Sequence, residues 1–118
     1  MRPEGQDVAF LWDMLQAAKA VNEFVSGRPY AEYERDLMLR SAVERQIEII
    51  GEAARKVSTV FRRSRPNIPW SGIISQRHVL AHEYGEIRNE RIWRVATIDV
   101  PELINQLEPL VPEPPATD

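Results

Sequence analysis

Apolar residues recur along this chain every three to four positions, the spacing that gives an α-helix one buried face. Val8, Leu11, Leu15, Ala18 and Val21 form the first stripe, with Trp12 beside it. They predict a helix capped by Asp7 that runs to about Val25 and stops at Ser26-Gly27-Arg28-Pro29. Leu39, Val43, Ile47, Ile50, Ala54 and Val57 form a second stripe. It predicts one unbroken helix from Ala31–Glu34 to about Ser58, about 40 Å long at ~1.5 Å per residue. Gly51 inside that helix points to close approach by a neighbour, because a glycine there costs about 1 kcal/mol relative to alanine. Residues 61–70 read as a connector broken by Pro66 and Pro69, with Trp70 anchoring the next element in the core. Ser71 is expected to cap a third helix buried through Ile73, Ile74, Leu80 and Ala81, with Gly85 as its left-handed C-terminal residue. Asn89 is expected to cap a fourth helix reaching about Ile98, with Ile92, Trp93 and Ala96 inward. Pro101 then reads as the first-turn proline of a last helix, striped by Leu103, Ile104, Leu107 and Leu110. No strand pattern or repeat is visible. The fold class that follows is all-α: an antiparallel helical bundle of four to five helices. One domain is expected over residues 1–110, followed by a Pro-rich, acidic, disordered tail at 111–118.

Composition narrows the function classes. With no cysteine among 118 residues, disulfides and thiolate metal sites are excluded. No apolar run approaches the ~20 residues of a membrane span, and MRPEGQDVAFLW lacks the apolar core of a secretory signal. The expectation is a cytoplasmic protein with no membrane contact. A net charge of −3 argues against generic nucleic-acid binding, but the charge is uneven. Residues 55–94 carry nine basic and three acidic side chains, a local excess of +6, between two acidic flanks. Such a field can hold a phosphate backbone, or it can be an ordinary solvated surface.

The basic segment contains the only two histidines, His78 and His82, within RHVLAHEY at Arg77–Tyr84. On a helix they share one face, while Arg77 and His82 lie about 140° apart at ~3.6 residues per turn. Three readings stay open from the residues. Two histidines four apart can bind zinc, but a site needs a third or fourth ligand, and Val79 stands where the zincin pattern has glutamate. Alternatively, Arg77 and His82 suit metal-free RNA cleavage. A neutral imidazole takes the 2′-OH proton, an imidazolium protonates the leaving oxygen, and the guanidinium steadies the phosphate. One His82 cannot do both in one step, so this chemistry suggests two copies across a two-fold axis. The third reading is structural: Arg77 pairs with an acidic residue of the second helix and His82 caps its own helix.

Arg77–Tyr84 resembles the Arg-x4-6-His-x-Tyr signature of the HepT-like toxins of the HEPN superfamily. Arg40–Ala54, RSAVERQIEIIGEAA, is similar to that family's long-helix segment, and Ile68–Trp70 to its entry into the motif helix. The Trp93 helix and Pro101-Glu102-Leu103 resemble its C-terminal end, so the likeness covers most of residues 7–110. The resemblance implies a HEPN-like, dimeric ribonuclease toxin without a cofactor, encoded beside a minimal nucleotidyltransferase antitoxin. It implies that Arg77 and His82 are catalytic and that Tyr84 accepts AMP from the antitoxin. Two positions depart from the family pattern. His78 stands where a small polar residue is usual, as a hydrogen-bonding substitute or a helper in proton transfer. Glu83 stands where glycine is common and puts an acid beside the expected phosphate. Glu48 and Glu52 are placed to orient Arg77 if the two helices face each other. The alternative is a non-catalytic HEPN-like dimer that binds a nucleotidyltransferase or RNA without cutting.

Overall fold

Among the described residues every regular element is helical, in a computed structural model that describes residues 2–111 and, for Arg77, the backbone alone. The expected tail therefore lies outside the described residues from Pro112 on. Val111, its first residue, is buried.

Helix α1 spans Gln6–Val25 and α3 spans Leu37–Lys56, 20 residues each. Both bury the stripes their sequences carry. Leu11, Leu15, Ala18 and Val21 face Val43, Ile47, Ile50 and Ala54 in one core, with Met14 and Ala17 widening the α1 side. The carboxylate of Asp7, at the start of α1, accepts from the backbone N–H (2.8 Å) and hydroxyl (2.6 Å) of Ser58, just past the end of α3. The two helices therefore run antiparallel. Asp7 is thus not the cap of α1: Gly5 holds that position, and Asp7 ties the two helix ends together while its charge still suits the first turn.

The expected single long helix is two. A short α2, Tyr30–Arg35, ends at Asp36, whose backbone is extended (φ −105°, ψ 99°). The Asp36 side chain accepts from Leu39 N–H at 3.1 Å and caps α3. At ~1.5 Å per residue, α3 is about 30 Å long. The break lets α2 turn Tyr33 into the core, where Tyr30, Tyr33 and Trp93 form an aromatic cluster with centroids 5.1–6.3 Å apart.

The connector also contains a helix. Ser58 accepts from Phe61 N–H (3.2 Å) and caps α4, Thr59–Ser64, which plugs Phe61 into the core. Helix α5 spans Trp70–His82, with Pro69 rather than Ser71 at its cap. Trp70 is buried as expected, and its indole N–H donates to the Arg65 carbonyl at 3.0 Å. Helix α6, Gly85–Arg94, begins four residues before the expected Asn89 cap. It does not stop before Pro101: a π-helical turn at Val95–Asp99 leads directly into α7, Val100–Leu107. Val100 N–H donates to Val95 C=O, the wide i→i−5 bond. Proline has no N–H and its ring collides with the carbonyl four residues back, so the widened turn carries the helix past Pro101 without ending it. Among the described residues, no helix is long and apolar enough to cross a membrane.

Candidate active site at the end of α5

Helix α5 is weakly amphipathic, and its apolar residues Ile73, Ile74, Val79 and Leu80 are only partly buried; Ala81, expected inward, is exposed. It packs chiefly on α3. That contact explains Gly51. A Cβ there would sit 3.2 Å from the Ile73 carbonyl oxygen, so α5 approaches closest where α3 has no side chain. The close approach expected from sequence is what the fold contains.

The chemistry gathers at the other end of the helix. His82 is its last residue, and Glu83 N–H closes the turn onto Val79 C=O at 2.9 Å. Glu83 and Tyr84 are extended, and Gly85 turns into α6 at φ +60°, a conformation that strains any residue with a Cβ. Gly85 thus has the left-handed geometry expected of it, but three residues after the helix and at the first position of α6, while Glu83 caps α5. His78 and His82 stack with ring centroids 5.5 Å apart and planes 20° apart, both on the surface. Tyr84 is 75% exposed. Arg77 lies on the same helix, about 7.5 Å before His82 at ~1.5 Å per residue. Among the described residues, no group of three or more side chains of metal-binding type is gathered here.

Glu83 turns towards α6, its Oε1 3.8 Å from Arg91 Nε. Glu52 lies on α3 and meets Arg55 at 3.1 Å. Together with Glu44, Glu48 and Arg88 it lines a groove of about 530 Å³ that also touches Leu80 and Ala81 of α5. Arg88 and Glu44 form a tight, half-buried ion pair across that groove. Arg55, Arg88 and Arg91 each therefore have a carboxylate partner. On α4, Arg62 donates from Nε to the Val57 carbonyl (3.1 Å) and from Nη2 to Thr59 Oγ1 (3.5 Å), both neutral acceptors. Arg62, Ser71, Ser75 and His78 line a second groove, of about 450 Å³, between α4 and α5. Sequence reasoning counted Arg62 in the basic segment that can hold a phosphate backbone, but did not single it out or foresee this groove. The available signal was the arginine cluster at 62, 63 and 65, read as part of a connector.

Fold and site define a class first: a small all-helical domain that presents paired imidazoles and a tyrosine on an exposed helix end. The comparisons then give the family. A model of the family described as "Ribonuclease HepT-like" matches residues 14–110. The protein named "Putative RNase MJ1380" of Methanocaldococcus jannaschii is 39% identical over 100 residues, covering 85% of this chain and 92% of that protein. "Probable ribonuclease HepT" of Thermococcus cleftensis is 31% identical over 101 residues, covering 86% of this chain and 92% of that protein. No solved structure matches significantly. The chain belongs to the HepT-like ribonuclease family.

Proposed function

We propose that this ribonuclease is a metal-independent endoribonuclease toxin that cleaves RNA with Arg77 and His82 at a composite homodimer site. The observation that carries the reading is His82 itself. It ends α5 on the surface, reachable by a macromolecular strand, with Tyr84 equally reachable two residues on. In the proposed reaction one His82 imidazole takes the proton from the ribose 2′-OH, and the 2′-oxygen attacks the adjacent phosphorus. The partner copy's imidazolium gives its proton to the departing 5′-oxygen. The products are a 2′,3′-cyclic phosphate and a 5′-hydroxyl. Arg77 holds the phosphoryl oxygens as charge builds on them. The nucleophile belongs to the RNA, so the mechanism requires no cofactor. Tyr84, 75% exposed on extended backbone, suits modification by a minimal nucleotidyltransferase antitoxin. An added AMP brings negative charge and bulk to the phosphate site and turns RNA away. His78 supports the reading by stacking on His82. The turn of Glu83 towards Arg91 relieves the conflict its charge would pose.

The test is cleavage of single-stranded RNA in EDTA by wild type and His82→Ala, with product ends identified. The wild type is expected to leave 2′,3′-cyclic phosphates. His82→Ala is expected to lose at least about a hundredfold in rate, with melting unchanged because the ring is exposed. Undiminished cleavage by His82→Ala would reject the assignment.

A further inference from the structure

Three grooves border α5, and the two that reach its C-terminal half differ in charge. The one shared with α3 is lined by three carboxylates, Glu44, Glu48 and Glu52. The one shared with α4 is lined by Arg62, Trp70, Ser71, Ile74, Ser75 and His78, with no carboxylate among them. An RNA strand carries a negative charge at every nucleotide and settles where cations are not already neutralised. We infer that the α4–α5 groove is the track for the single-stranded RNA flanking the scissile phosphate. Arg62 binds a backbone phosphate there and Ser71 offers its hydroxyl to the strand, while the Ser75 hydroxyl, which donates to the Gly72 carbonyl at 3.0 Å, is left to accept from it.

Three observations carry this. First, the groove opens onto the imidazole pair: His78 lines it, and its ring stacks at 5.5 Å on His82. A strand lying in the groove is thereby led to His82, and the imidazole face offers a surface on which a base can stack. Second, Arg62 is fixed. Its Nε bond to the carbonyl of Val57, the residue that follows α3, holds the guanidinium in place, so little side-chain freedom is lost on binding. Third, the groove runs along α5 from His78 back to Ser71, about 10 Å at ~1.5 Å per residue. That length extends the contact well beyond a single phosphate. Arg63, exposed on the same short helix, continues the positive surface outward. The inference rests on the proposed reading that cleavage takes place at His82, towards which the groove leads.

The experiment measures steady-state cleavage of a fluorescein-labelled single-stranded RNA by the full chain, with anisotropy for binding across a salt series. Ser75→Glu and Arg62→Gln are compared with Ser41→Glu, which adds the same charge to the opposite groove. Ser75 and Ser41 are exposed, so neither glutamate threatens the fold. Arg62→Gln loses the Val57 bond, which makes Ser75→Glu the decisive variant. The expected result for Ser75→Glu is a rise in KM of about tenfold or more at low salt with kcat nearly unchanged, while Ser41→Glu matches wild type. Arg62→Gln is expected to flatten the slope of log Kd against log salt by about 0.7, one phosphate contact on a single strand. Equal KM for Ser75→Glu and wild type, or equal losses in Ser75→Glu and Ser41→Glu, would overturn the track. A wild type that neither binds nor cuts RNA would overturn the ribonuclease reading as well, so the two failures are distinguishable.

Discussion

The two flanks of α5 are built from the same helix yet have opposite character. On the α3 flank the helices touch at Gly51, and three arginines each have a glutamate: Arg88 with Glu44, Arg45 with Glu48, Arg55 with Glu52. On the α4 flank the contact is looser, the lining is polar or cationic, and Arg62 is held by neutral oxygens. The contrast shows where a basic segment has charge to spare. Nine basic residues between 55 and 94 say little until their partners are known, because a paired arginine contributes almost no field at a distance. The α3 flank uses its charges to hold the fold together, and the α4 flank leaves charge available to an anionic ligand.

Three substitutions break this contrast, in falling order of effect. Phe61→Ala removes the fully buried ring that seats α4, and is expected to destabilise by about 3–5 kcal/mol. If α4 bears the RNA track, the residual folded protein also shows a higher KM; denaturant melts and cleavage kinetics read both. Gly51→Val attacks the other flank. Its Cβ meets the Ile73 carbonyl at 3.2 Å, backbone that a rotamer change cannot move aside. The expected cost is about 1–3 kcal/mol of overpacking, seen as a lowered Tm together with reduced cleavage as α5 is pushed off α3. Gly51→Ala is the finer probe, because the better helix propensity of alanine offsets part of the same collision.

The smallest effect at neutral pH belongs to Tyr33→Phe. Burial, then the Glu44 carboxylate, push the Tyr33 hydroxyl well above the usual tyrosine range. The folded value exceeds the unfolded one, so the stability linked to this group is complete below about pH 10 and is lost as pH rises beyond it. The hydroxyl is buried without a hydrogen-bond partner. Tyr33→Phe is therefore expected to change neutral stability by no more than about 1 kcal/mol, and to flatten the alkaline fall of Tm. An unchanged alkaline limb would show that another group governs it.

Much of the fold was legible residue by residue. Apart from Val8 and Leu110, which are only partly buried, the stripes of α1, α3 and the last helix are buried where the three-to-four periodicity put them, Trp70 is in the core, and Gly51 lies under a crossing helix. The family, too, was readable from RHVLAHEY, the long-helix segment and the entry into the motif helix. These signals are local, or depend on order along the chain alone. The helix ends were the weak point. Asp7 and Asp36 are the same residue type in equally good capping positions, yet Asp36 caps α3 and Asp7 reaches 51 residues away to Ser58. Asn89 and Pro101 read as starts, but α6 begins at Gly85 and a π turn passes the proline.

The sequence by itself determined an all-helical chain, its buried faces, and the histidines and tyrosine that mark its family. Only the tertiary structure decided which carboxylates pair with Arg45, Arg55, Arg88 and Arg91, and that Arg62 is held by neutral oxygens. It also decided that Glu83 turns to Arg91 and that His78 stacks on His82. The reason is physical. Helical periodicity and chain breaks are set within a few residues of backbone, whereas the Coulomb interactions that define a groove act between side chains 44 positions apart in sequence, as in Arg88 and Glu44, that meet only when the helices pack.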